Sequence, residues 1–194
     1  TLDFDNLENA YWMFAYSKVQ QLPATRFPKV TNASDMFSNT QLTKVPDLYL
    51  PEATNTSSIL VGTQQAEEVG DIYIPKSNEL GALLGWSYNV HKVGKIHLNG
   101  VANMTELFPS TDGIQELGGF PGLGESFTDD NQSLVLSNSG GLTNESIQNI
   151  IDTIYDLTQN GHTATITLHS EVFNNVTDAQ KEQATAKGWT IASA

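Results

Sequence analysis

The sequence predicts an α/β fold: a short solenoid of about five repeats, each of roughly 23–24 residues, with an α/β C-terminal cap. Three observations lead there. Phe4, Phe27, Leu50, Ile74 and Leu98 open five similar phrases at a nearly constant step, the last two intervals one longer than the first two. Each phrase runs from its apolar start through a small or Asn-rich turn to an apolar pair, then to two further apolar residues. A fixed period in the low twenties marks stacked supersecondary units, none of which buries its apolar face alone. After Phe120 the phrase gives way to strand and helix patterns. Residues 1–124 are therefore expected to form the repeat array, and residues 125–194 a strand/helix region capping that same array.

The apolar pairs are Met13-Phe14, Met36-Phe37, Ile59-Leu60, Leu83-Leu84 and Leu107-Phe108. The longer copies gain their extra residue after that pair, where a connection lengthens and core positions keep their places. A strand is expected in front of each start, at Thr1–Phe4, Asp47–Leu50, Asp71–Ile74 and Lys95–Leu98, by its apolar alternation. Pro28, Pro51 and Pro75 end these strands, because proline cannot extend a ladder. The apolar pair itself is expected as a helical turn or an irregular rib.

Beyond the repeats, Ser133–Ser137 reads as another strand of the stack. Thr143 or Asn144 is placed to cap a helix. Ile147, Ile150, Ile151, Ile154, Tyr155 and Leu157 recur at helical spacing, and Asn160-Gly161 stops that helix. Thr163–His169 reads as a strand. Thr177-Asp-Ala-Gln180 has the form of a capping box, opening a helix that ends at Lys187-Gly188 before a last short strand from Trp189.

The 194 residues carry a net charge of −13, and from Ile96 to Gln180 there is no Lys or Arg. Such a surface repels phosphate backbones, so a nucleic-acid partner is not expected. No apolar run approaches the ~20 residues of a membrane span, so no membrane insertion is expected in this segment. With no cysteine, disulfides, thiolate metal sites and a cysteine nucleophile are excluded. The opening residues fall within a repeat and show no secretory leader, which is read as a fragment of something longer.

The phrase from Phe27 through Met36-Phe37 to Pro46 resembles the BspA-type leucine-rich repeats of bacterial surface proteins and Gram-positive phage proteins. The runs Leu142–Ile151, Ala164–His169 and Thr177–Ala192 resemble the segment that closes such arrays in phage and prophage structural proteins. Where these repeats often place a cysteine, the chain has Ser17 and Thr40; Gly70 and Gly94 stand where earlier copies have Pro23 and Pro46. The resemblance implies a leucine-rich-repeat-like solenoid in an extracellular setting, on a virion or a bacterial cell surface. It implies a non-enzymatic recognition or adhesion module: an exposed part of a phage tail, fibre or baseplate protein, or of a bacterial surface protein, binding a host protein or glycan. The alternative is a purely structural virion or assembly component, a spacer or protein–protein joint. Other virion or surface subunits are then the partners, and homo-oligomers through a parent protein are compatible with either reading.

The candidate binding surface is the stripe just before each start: Asp3, Arg26, Tyr49, Tyr73 and His97. Two residues earlier runs a second column with Asp47, Asp71 and Lys95. Tyr flanked by carboxylates suits recognition, because Tyr brings a large amphipathic area at low entropic cost. Outward Tyr also suits a strand by propensity alone. No catalytic residue, cofactor or metal is expected. His91, His97, His162 and His169 lack ligand spacing, and Asp129-Asp130-Asn131 supplies oxygen ligands without the spacing of a known calcium loop. The glycine-rich run 118–124 lacks a following Lys-Ser/Thr and reads as a joint, not a phosphate cradle.

Overall fold

The structure, a computed structural model, describes residues 4–22, 26–99, 106–130 and 132–194. It corrects the expected fold class. Instead of a leucine-rich-repeat-like solenoid of strands and ribs with a cap, the described residues form three separate three-stranded parallel sheets with few helices. The first sheet holds β1 (Leu48–Tyr49), β3 (Ile72–Tyr73) and β5 (Ile96–His97), in that order. The second holds β2 (Glu68–Val69), β4 (Lys92–Val93) and β6 (Glu116–Leu117). The third holds β7 (Gln132–Leu136), β8 (Ala164–Leu168) and β9 (Trp189–Ser193).

The strands of the first two sheets are two residues long, half of what the alternation suggests. The expected strand at 1–4 falls largely on residues 1–3, outside the described residues. Nothing in the alternation points to the second sheet. Ser133–Ser137 is not a further strand of the repeats: β7 pairs with β8 in the third sheet.

The period survives as register. Tyr49 lies beside Tyr73 and Tyr73 beside His97; Val69 lies beside Val93 and Val93 beside Leu117. Single bridges extend the pattern through Asn9, Asn32, Asn55 and Glu79. Inward residues Leu48, Ile72 and Ile96 on one side, and Val69, Val93 and Leu117 on the other, close on one continuous apolar core.

The apolar pairs are not helical. They sit in irregular turns, where residues four apart adopt positive φ: Trp12 and Tyr16, Asp35 and Asn39, Ser58 and Gly62, Ala82 and Trp86. The reason is where the amides point. In a helix an N–H turns back to its own chain. Here Tyr16, Asn39, Gly62 and Trp86 each donate to the next copy, at Ser38, Val61, Gly85 and Pro109, over 2.7–2.9 Å. The left-handed backbone costs a non-glycine residue on the order of 1–3 kcal/mol, which the bonds between copies offset. Between the turns, Met36, Phe37, Ile59, Leu60, Leu83, Leu84, Leu107 and Phe108 are fully buried.

The third sheet is joined by helices: α1 (Asn144–Thr153), α2 (Ser170–Phe173) and α3 (Asp178–Ala186). Thr143 caps α1 through its hydroxyl, and the Thr177–Gln180 capping box opens α3. α1 ends at Thr153, well before the expected stop at Asn160-Gly161, and a short 3-10 turn at Leu157–Gln159 follows. Its polar face does what a further copy would do for β6. Ser146 Oγ accepts from Leu117 N–H and donates to the Gln115 carbonyl, Asn149 donates to the Leu117 carbonyl, and Thr153 Oγ1 accepts from Phe120 N–H. Gly119, at φ 104°, lets α1 come this close: a β-carbon there would lie 2.5 Å from the Asn149 carbonyl. At the other end of α1, Lys187 Nζ donates to the Ile151 carbonyl at 2.6 Å and to two more carbonyls at that end, the favoured place for a cation.

Space between copies makes a test. A β-carbon on Gly94 would press into Asp71 and the Gly70 carbonyl carbon, whereas one on Gly81 meets nothing within 4 Å. Gly94→Ala should cost about 1–3 kcal/mol in urea unfolding, as overpacking does. Gly81→Ala should stay within about 0.5 kcal/mol. Equal effects would contradict the close approach at Gly94.

Candidate functional site

The first sheet faces solvent through one residue of each strand. Tyr49, Tyr73 and His97 are half-buried, while their neighbours Leu48, Leu50, Ile72, Ile74, Ile96 and Leu98 are buried. Arg26 bridges to Tyr49 in the same register. Four of the five stripe residues thus stand in one column; Asp3 lies outside the described residues. The column is continuous in ring contact. The Arg26 guanidinium lies 4.8 Å over the Tyr49 ring. Tyr49 and Tyr73 stack at 4.6 Å with planes 7° apart, and Tyr73 meets His97 at 5.4 Å and 54°. The Tyr–Tyr spacing is that of neighbouring strands, about 4.8 Å, so the sheet imposes the stacking. The two ring edges with their hydroxyls form an amphipathic strip, with a cation at one end and an imidazole at the other.

The second column is placed differently from the sequence reading. Asp47 Oδ1 accepts from Asp71 N–H at 2.9 Å, and Asp71 Oδ1 accepts from Lys95 N–H at 2.7 Å. Each carboxylate therefore reaches forward and satisfies a backbone donor of the next copy. That explains the exchange of Pro for Gly. A β-carbon on Gly70 would sit 2.5 Å from Asp47 Oδ1 and 2.7 Å from Asp47 N. Pro46 comes one copy after Ala24, a residue that carries no carboxylate. Asp71 also keeps its other oxygen 3.9 Å from His97 Nε2, linking the two columns. Lys95 is exposed.

A third column has the same period but escapes a sequence reading, because its residues look like ordinary solvated charge. Lys44, Glu68, Lys92 and Glu116 alternate in sign along the second sheet. Lys44 Nζ lies 3.5 Å from Glu68, and Lys92 Nζ 2.7 Å from Glu116. Between this column and the Asp column runs an open groove of about 400 Å³, lined by Lys44, Asp47, Glu68, Asp71 and Lys92. The charges of its walls are largely paired or bonded to backbone, so they shape the groove more than they charge it.

The remaining candidates serve the fold. Asp130 accepts from Thr163 N–H at 3.0 Å and faces His162 Nδ1 at 3.2 Å. These bonds, the backbone one first, hold its carboxyl below the usual range. Asp129 accepts from Gln132, and Asn131 lies outside the described residues. Among the described residues, no three His, Asp or Glu side chains converge as a metal site would require. The Arg26–Tyr49–Tyr73–His97 column offers rings, hydroxyls and one guanidinium for contact.

The Lys92–Glu116 hydrogen bond, and then the charge of each partner, raises the Lys92 pKa and lowers that of Glu116. The pair thus supports the fold at neutral pH. Its contribution fades as pH falls through the lowered Glu116 value, and again as pH rises through the raised Lys92 value. In a carboxyl NMR titration, Glu116 should titrate below an ordinary glutamate, and Lys92→Ala should return it to the ordinary range. An unchanged Glu116 curve would contradict the pairing. Compared with protein-family models, curated proteins and solved structures, the chain matches none of them.

Proposed function

We propose that the chain is a non-enzymatic recognition module whose contact face is the Arg26–Tyr49–Tyr73–His97 column. The observation behind this reading is the unbroken run of ring contacts along a solvent-facing strip. Rings held by a sheet lose little freedom on binding, and Tyr and Arg are the side chains that concentrate binding energy at interfaces. The partner is a surface protein or glycan of a host cell. The setting is extracellular, on a virion or a bacterial surface, in keeping with the likeness of the repeated phrase to BspA-type repeats. The Asp47–Asp71 column is assigned to support: it fixes the spacing of the copies and so of the rings. A structural spacer or joint between subunits is the competing role.

Labelled protein bound to a panel of intact Gram-positive cells separates the two. Tyr49→Ala with Tyr73→Ala should reduce cell binding at least tenfold, or about 1.4 kcal/mol. The variant should stay folded by circular dichroism at the assay temperature, its thermal midpoint lowered by the lost stacking together with the lost burial of two half-buried rings. Undiminished adsorption of the variant would refute the recognition face. Self-association in light scattering without any cell binding would favour the joint.

A further inference from the structure

A second surface lies on the turns, away from the sheet column. Its core is the row Tyr16, Asn39, Gly62, Trp86, which occupies one position of successive copies, as the matching N–H bonds to Ser38, Val61, Gly85 and Pro109 show. All four have positive φ, between 53° and 68°. Asn39 and Gly62 are residues that tolerate this conformation; Tyr and Trp are not. Burial does not compensate them, since Tyr16 is 68% exposed and Trp86 47%. The N–H bond to the next copy offsets the strain for whatever residue stands there, so it does not select a ring at either position. Strained, solvent-facing aromatics at a position where the neighbouring copies use Asn and Gly call for a ligand.

The shape and charge of the row define that ligand. Tyr16 and Trp86 stand three copies apart, roughly 14 Å at about 4.8 Å per copy. Between them the floor is low: Gly62 has no side chain, and the Asn39 amide lies over it. Gln41 and Gln64, both exposed, flank the floor. In the same flanking column Tyr88 is 55% exposed beside Trp86, and Lys18 and Asp112 lie at its two ends. Around Tyr16 the apron widens through Trp12, whose ring lies 5.8 Å from it, and Tyr11, 5.9 Å from Trp12. So a chain of net charge −13 here presents two aromatic platforms with the amides of Asn39, Gln41 and Gln64 between them and a single carboxylate, Asp35, in the adjoining Trp12 column. Flat rings take the C–H faces of sugars, and amide side chains both donate to and accept from hydroxyls.

We propose that this row binds a neutral oligosaccharide, one sugar ring on Tyr16, another on Trp86, with the intervening hydroxyls over Asn39 and Gln64. The net negative charge disfavours anionic glycans. This site is separate from the Tyr49–Tyr73 column, and the two stand or fall independently.

Tryptophan emission reads the site directly, because Trp189 is fully buried whereas Trp12 and Trp86 are exposed. The full chain would be titrated with tetraacetylchitotetraose, cellotetraose and maltotetraose, long enough to set one ring on each platform, with calorimetry in parallel. At least one should shift or quench the emission and saturate. Tyr16→Asn and Trp86→Asn, each installing the residue found at position 39, should keep the fold by circular dichroism and weaken that sugar at least tenfold. Tyr49→Ala with Tyr73→Ala should leave it unchanged. Three results would overturn the proposal: no heat or emission change with any of the three sugars at millimolar concentration, sugar binding that survives both Asn variants, or an emission change produced only by phosphatidylcholine vesicles or by raising the protein concentration.

Discussion

Backbone N–H groups that reach one copy forward hold the rest of this structure in place. Leu48, Ile72 and Ile96 donate to Asp71, Lys95 and Gly119 over 2.8–3.0 Å, and the turns repeat the same reach. A buried peptide group left without a partner is costly, so each copy depends on its neighbour for satisfaction as much as for burial. The reach also dictates local form. It rules out helix in the turns, requires left-handed residues there, and allows strands of only two residues. It creates a problem at the far end, where β6 has no further copy to meet. Ser146, Asn149 and Thr153 solve it from one face of α1, with side-chain groups standing in for a strand.

A fixed register turns a linear period into columns, and the columns divide the labour. Inward columns are apolar and identical in role. The Asp47–Asp71 column satisfies amides and sets where Gly is needed. The Lys44–Glu68–Lys92–Glu116 column alternates charge so that like charges never meet at one strand spacing. The outward ring positions fill neither the core nor an amide bond with their side chains, and these are where the Arg26–Tyr49–Tyr73–His97 strip and the Tyr16–Trp86 row lie. The turn row shares its left-handed backbone with the column four residues before it, and differs from it in carrying exposed rings at both ends.

Much of this was legible in the residues, and the gaps have physical causes. The period identified which residues share a column, because stacking demands equal spacing. It did not say which part of a copy would pair as strand, since so short a strand leaves almost no alternation to read. The helix face at Ile147, Ile150, Ile151 and Ile154 was readable from its helical period. Its early end was not, because Tyr155 and Leu157 continue an apolar pattern while packing in a different conformation. The solenoid reading failed on what the repeats build, not on how they are spaced. The charge column was present at the same step as the rings but resembles ordinary solvated charge. Trp12, Tyr16 and Trp86 pass for core aromatics until their exposure is seen.

The most direct test of the register on which all the columns rest is a NOESY spectrum of the folded chain. The structure predicts ring-to-ring cross-peaks between Tyr49 and Tyr73 and between Tyr73 and His97. Cross-peaks that join these rings to residues shifted by one position, or none between the rings of adjacent copies, would contradict it.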